Sequence, residues 1–279
     1  MSTPQFNNGT GRPMQHIDRK ELYTNLEARM NYLKSFIGWD HDDEAALALA
    51  AKPLTALIPA VVNIVYKKLL SYDITARAFS TRSTSYEGPL DDFPSLDSPQ
   101  IQYRKMFLRG YLRKLCSDPS KMEYWQYLDK VGMMHVGQGR KHPLHIEFIH
   151  MGVLLGYVGD ILIEAIMSHP KLSLQQKTAV IRAVNKLLWI QNDLFAKWYV
   201  RDGEEFRKEA EENAREVEPE GYLNGKPIIE ADEEAVKAGV CPFSGLGGTA
   251  EATGHGKTDK EEAVPSGGCP FSGAGAAKD

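Results

Sequence analysis

Four of the eight histidines in this chain fall close together, at His135, His142, His145 and His150. Imidazoles that converge on one point can bind zinc, and the spacing of His142, His145 and His150 lets them partly share a helix face. No cysteine, aspartate or second histidine pair beside them completes a tetrahedral set, so hydrogen-bonded or solvated histidines at a helix start are the simpler reading. His135 differs. It sits in the run Asp129-Lys-Val-Gly-Met-Met-His-Val-Gly-Gln-Gly-Arg140, flanked by apolar Val131, Met133, Met134 and Val136. A neutral imidazole in apolar surroundings suits the axial position of a haem iron, with the opposite face open to a gas. A lone histidine on an apolar face serves equally well as a hydrogen-bonded core residue, and spacing alone leaves both readings open.

A second chemical feature lies far downstream, where Cys241-Pro-Phe-Ser-Gly is repeated as Cys269-Pro-Phe-Ser-Gly. A thiolate is a strong axial donor, and proline restricts the backbone beside it so that the sulfur projects. The pair resembles the Cys-Pro motif through which regulatory segments hold ferric haem transiently. A reversible disulfide between the two, or a duplicated surface segment with no ligand, fits the same residues. Cys241, His255 and Cys269 fall one ligand short of a structural zinc site. The third cysteine, Cys116, closes a helical run and reads as a packing residue. Three cysteines in 279 residues are too few for a secreted disulfide framework.

These residues need elements to position them. Hydrophobic residues make up 42% and charged residues 25% of the chain, and the net charge is −4, which excludes a strongly basic nucleic-acid binder. The charge is unevenly spread: residues 203–279 carry 17 acidic and 8 basic side chains, so the first 202 residues hold a net +5. The tail is also rich in Gly, Ala, Glu and Lys, with little to bury, although Gly203 to Pro219 reads as a frayed helical extension. The expected organisation is a flexible arm over 1–17, one body over 18–202 and a low-complexity tail over 203–279.

The body reads as helix throughout. Leu22, Leu26, Met30, Leu33 and Phe36 form one stripe behind a possible cap at Asp18. Asp40, Asp42 and Asp43 suit the start of a second helix. Pro53 and Pro59 are expected to break it, with helix resuming over Ala60–Leu70. Thr81–Ser98 is a loop. Ile101–Cys116, Lys121–His135, Leu144–Met167 and Ser173–Val200 follow as helices. The fold class is therefore all-α, with six to eight helices. No targeting segment is apparent in the polar first residues, and the prolines and charges in the two greasiest stretches argue against membrane spans. A cytoplasmic protein is the expectation.

The segment Val131-Gly132-Met-Met-His135, with Gly139 four residues on, resembles the proximal-histidine signature of protoglobins and globin-coupled sensors. Ile146-Glu-Phe148-Ile149-His-Met-Gly-Val-Leu-Leu155 resembles the helix that follows it. Arg29–Asp40 is similar to the family's extra N-terminal helix and its exit, and Asn63-Ile-Val-Tyr66 to its second globin helix. The resemblance covers roughly residues 20–200 and implies a globin-like fold of the protoglobin type, with an extra N-terminal helix. It implies haem b with His135 as the proximal iron ligand and Tyr66 as the distal hydrogen-bond donor. Val65, Phe107 or Leu108, Met134 and Ile149 are the further cofactor contacts expected. Arg104, Arg109, Arg113 and Arg140 are candidates for the propionates. This chain departs from the family pattern at Gln138, at Val65, where a bulky aromatic is common, and in the length of the loop Thr81–Ser98.

The implied function is reversible binding of O2, CO or NO, for oxygen or redox sensing, and more simply non-enzymatic. A haem-dependent oxygenase or NO-consuming enzyme is the alternative, and a haem carrier that uses Cys241 and Cys269 is a third. No cyclase, kinase or methyl-accepting module fits the tail, so a sensor's output is expected to pass through a protein partner. Globins of this kind pair through their last two long helices. Trp189, Phe195, Trp198 and Tyr199 are the residues expected at such a homodimer contact.

Overall fold

Helix caps set the boundaries of the N-terminal elements. In the computed structural model, which describes residues 14–83, 86–138, 142, 144–206, 222–223 and 226–227, the expected first helix is two. Helix α1, Arg19–Thr24, starts at Asp18, whose carboxylate accepts from the Lys20 amide. Helix α2, Leu26–Ile37, starts at Asn25, whose side-chain oxygen accepts from the amides of Glu27 and Ala28. A short amide side chain offers the backbone an alternative to continued helix, so Asn25 divides the stripe. Helix α2 ends at Gly38 with φ +68°, the left-handed geometry glycine adopts most easily.

Helix α3 corrects the sequence reading. It runs unbroken from His41 to Leu70, with Pro53 and Pro59 inside it. A proline at position i removes the bond to the carbonyl at i−4, and those carbonyls belong to Leu49 and Thr55, both exposed residues that water can reach. The start is secured by a reciprocal cap between Asp40 and Asp43.

A short helix α4, Asp73–Ala76, and one 3-10 turn, Arg77–Ser80, follow. Then come α5, Pro99–Leu115; α6, Met122–His135; α7, Phe148–Ser168; and α8, Leu174–Ala196. Helix α7 begins later than the expected Leu144, because His145 pairs with Val136 in an isolated antiparallel bridge. Beyond α8, a 3-10 turn spans Glu204–Phe206, and two-residue strands pair at Tyr222–Leu223 and Lys226–Pro227. Contacts divide the chain into residues 1–233 and 234–279, and all described residues belong to the first unit.

Two apolar clusters form the interior. One gathers Met30, Ala50, Trp125, Leu128, Val180 and Leu194 from α2, α3, α6 and α8. The other gathers Val62, Val65, Phe79, Ile101 and Ile161 from α3, the 3-10 turn, α5 and α7. Helices α3 and α7 are long and apolar enough to cross a bilayer by length and composition alone; here each contributes buried residues to both clusters.

Candidate functional site

Helix α6 is packed so closely on α8 that Gly132 has no room for a side chain. A Cβ there would stand 2.5 Å from the Leu194 carbonyl oxygen and 3.0 Å from Trp198 Cδ1. One turn earlier, Asp129 accepts from Trp198 Nε1 and Lys197 Nζ, both at 2.9 Å. One turn later, the His135 ring meets Phe195 edge-on at 5.4 Å. Three successive contacts therefore fix α6 against the end of α8. The chain leaves α6 through Gly137, at φ +85°, and doubles back so that the Ile146 amide donates to the His135 carbonyl at 2.9 Å.

His135 Nδ1 lies 2.7 Å from the Val131 carbonyl oxygen. A carbonyl only accepts, so the proton of the neutral ring sits on Nδ1 and the Nε2 lone pair is left to act as a ligand.

His135 lines a cavity of about 640 Å³ with walls mainly of apolar side chains, within the size range of cofactor sites. Val65, Tyr66, Phe107, Leu108 and Met134 line it too, so six of the seven expected cofactor contacts share one space. Phe107 and Leu108 both face it, where sequence could not choose between them. Ile149 does not: it is 64% exposed, and α7 turns Met151, Leu154, Leu155 and Val158 inward instead. Ile149 and Val153 both lie on the solvent side of α7.

Tyr66 is buried on α3 and leans on Phe79, ring centres 5.6 Å apart. Burial pushes its phenol well above the ordinary value, against the pull of Arg104 and Arg109, so it remains a protonated donor. Of the four arginines expected near an anionic edge, Arg104 lines the cavity; Arg109 and Arg113 do not, and Arg140 lies outside the described residues. Phe195, expected at a dimer surface, is 3% exposed and walls the cavity beside His135. Cys241 and Cys269 lie outside the described residues, as do Gly139 and the proposed helical extension beyond Phe206. Cys116 is a half-buried free thiol, raised in pKa by burial. Among the described residues, no group of three or more His, Cys, Asp or Glu side chains is placed to hold a metal ion.

Sequence reasoning missed Phe79, Ser83, Tyr111 and Tyr127, all of which line the cavity. Tyr127 had a signal, since it lies eight residues before His135 on the same helix, two turns away. Phe79 lies in the short 3-10 turn after α4 and Ser83 in the loop beyond it, where helix periodicity says nothing.

The protoglobin family model matches residues 26–205, and the chain belongs to that family. Among solved structures, it is similar to the globin domain of the Geobacter sulfurreducens globin-coupled sensor, at 18% identity and a TM-score of 0.45, over 61% of this chain and 97% of that one. Comparison with curated proteins gave no match. Membership implies a haem cofactor, and the cavity fits one: it is large, apolar, and entered by one imidazole whose tautomer leaves Nε2 as the donor.

Proposed function

We propose that this chain binds haem b with His135 Nε2 as the proximal ligand, and that it reversibly binds a diatomic gas (O2, CO or NO) on the face nearer Tyr66. The observation that carries the reading is the Nδ1 contact to the Val131 carbonyl at the wall of an apolar cavity. When bound, haem supplies the iron at which the gas is held. The protein's own part is orientation and exclusion. Val131 and Phe195 fix the imidazole plane. Val65, Phe107 and Leu108 exclude bulk water from the opposite face. Tyr66, kept protonated by burial, would offer its O–H to a polar ligand held on that side and would give little to carbon monoxide. The role is oxygen or redox sensing in the cytoplasm, through a protein partner rather than by catalysis.

The first test is purification with haem precursor supplied, followed by ferric, ferrous and ferrous-CO spectra. A stoichiometric Soret band that shifts with CO and is lost in His135→Ala is the expected result. A folded, colourless protein that ignores added haemin refutes the reading.

We propose self-association through the outer face of α7, where Ile149 and Val153 are 64% and 68% exposed and Gly152 and Gly156 have open space above them. Trp189 on α8 adds to this surface. A homodimer through α7 and α8 is expected, and Val153→Glu should convert it to monomer in sedimentation; a wild-type monomer at micromolar concentration removes it.

A further inference from the structure

Just past the end of α8, an indole is pressed against the helix that carries His135. Trp198 Nε1 donates to the Asp129 carboxylate at 2.9 Å, and its Cδ1 stands 3.0 Å from where a Cβ on Gly132 would be. Val131, His135 and Phe195 all line the cavity, so this indole lies one layer behind the wall on the His135 side. Trp198 is half-buried. Lys197 Nζ lies 4.7 Å over its ring and also donates to Asp129. An indole is among the most easily oxidised side chains, and its N–H becomes strongly acidic once an electron is lost. A carboxylate on that N–H takes the proton, so electron and proton leave together and a neutral radical remains. Lys197 favours this course, because the attraction between an ammonium and the ring face turns to repulsion if the ring becomes positive.

The other oxidisable side chains are less well provided. Tyr66, Tyr111 and Tyr127 line the cavity itself, but burial raises all three phenols. A phenol gives up its proton when oxidised, so the desolvation that resists its ionisation resists its oxidation too. The Tyr111 hydroxyl is in addition buried with no hydrogen-bond partner to take that proton. Trp125 donates to the Pro119 carbonyl at 2.8 Å, a group that accepts a hydrogen bond but is too weak a base to hold the proton. Trp39 reaches Glu44 at 3.3 Å and packs on Trp125, ring centres 5.6 Å apart, in the first apolar cluster and away from the cavity wall. Trp189 is exposed. Closeness to the cavity and a short bond to a carboxylate therefore coincide at Trp198.

Resting on the haem reading above, we propose that Trp198 and Asp129 form a one-electron oxidation site, which gives this chain a further activity: the reduction of hydrogen peroxide by an external phenol. Peroxide takes two electrons, and two protons from solvent, and leaves as two waters. One electron is drawn from the haem and one from Trp198, whose Nε1 proton passes to Asp129. A phenol that reaches the half-buried indole returns the electron and leaves as a phenoxyl radical, its own proton going to solvent, while Asp129 returns its proton to Nε1. A second phenol returns the electron drawn from the haem in the same way. One peroxide and two phenols thus give two waters and two phenoxyl radicals.

The test mixes the haem-loaded full chain, in the ferric state and without phenol, with hydrogen peroxide, freezes it rapidly and reads the radical by electron paramagnetic resonance. Ring-deuterated tryptophan should narrow the signal, and ring-deuterated tyrosine should leave it unchanged. Peptide mapping after longer exposure should find added oxygen on Trp198. The signal should be lost in Trp198→Phe. Asp129→Asn keeps an acceptor for the indole but removes the base, and should lower the radical yield about tenfold. Ferrous-CO spectra check that each variant holds haem. A signal carried by tyrosine, a tryptophan signal that survives Trp198→Phe, or an Asp129→Asn yield equal to wild type overturns the proposal, as does a haem-loaded wild type that forms no protein radical. A wild type with no Soret band defeats the haem reading itself, a result that the spectra separate from the others.

Discussion

Gly132→Ala is the smallest change that reaches the candidate ligand without touching it. The added Cβ would lie 2.5 Å from the Leu194 carbonyl oxygen, 3.0 Å from Trp198 Cδ1 and 3.3 Å from the Leu194 carbonyl carbon. Two of the three atoms are backbone of α8, so no flexible side chain can swing away. Relief to an ordinary contact requires α6 to move off α8 by roughly 0.5–1 Å, the order of displacement that overpacking forces on a close-packed interior. That movement works against the Asp129 bonds to Lys197 and Trp198 on one side, and against the His135–Phe195 contact on the other. Overpacking of this kind costs about 1–3 kcal/mol, which lowers the melting temperature of a domain this size by roughly 2–12 °C. His135 lies three residues along the same helix, so its ring should tilt with it. The assays are the urea midpoint of the apoprotein and, after haem loading, the iron–histidine stretching frequency by resonance Raman. Weaker stability with a shifted or broadened stretch is expected. An alanine variant with wild-type stability and an unchanged stretch would mean that α6 is free to slide on α8, and the account of how His135 is positioned fails.

Three further outcomes follow from the same contacts. Tyr66→Phe should speed O2 release about tenfold or more while altering CO release only slightly; equal effects on both gases would remove the hydrogen-bond role. Asp129→Asn keeps an acceptor for Trp198 but strips the charge that Lys197 meets at 2.8 Å, with both side chains about one-fifth exposed or less; a loss of about 1–2 kcal/mol in urea titration is expected, and no loss would make the clamp decorative. Burial raises the phenols of Tyr66, Tyr111, Tyr124 and Tyr127, and that of Tyr199 to about 12. The native state therefore holds protons that the unfolded chain gives up near pH 10, so this contribution to stability is complete below about pH 10 and is lost as pH rises above it. In an alkaline titration, tyrosinate absorbance from these residues should rise together with the loss of helix; a rise well before unfolding would contradict their burial.

What the sequence made legible depended on whether a residue's role was written in local pattern. His135 stood out by its apolar neighbours, which left two readings open; the resemblance added the glycine three residues before it, and the structure shows why that glycine is needed, where α6 crosses α8. Tyr66, Val65, Phe107 and Leu108 were expected only through the family resemblance, and α3 and α5 turn all four into the cavity. Ile149 was misplaced by the resemblance: α7 is apolar on both faces, and it is Met151, Leu154, Leu155 and Val158 that it turns into the cavity. Phe195 was misjudged for the converse reason, since the aromatic end of α8 looks like a surface until α6 is seen lying across it. Ser83 was beyond sequence reasoning altogether. Its position is decided by Arg104 bonding to Thr81 across 23 positions of chain, and no local rule encodes that.

The prolines of α3 show the same limit from the side of the fold. Pro53 and Pro59 fall where α3 passes from one apolar cluster to the other: Ala46, Leu47 and Ala50 belong to the first, and Ile58, Val61, Val62 and Val65 to the second. Locally, two missing amide donors and two ring clashes favour a break. Globally, a break would uncouple the halves of the helix that carries Tyr66, and the burial of both ends outweighs a few kcal/mol of local cost. The freed carbonyls belong to the exposed residues Leu49 and Thr55, where that cost is least. Conserving the helical path keeps Tyr66 in fixed register with a core that also holds α6 and α8, and so with His135 across the cavity. The continuity of α3 is thus part of the site: it carries the rigidity of the first cluster to a tyrosine in the second.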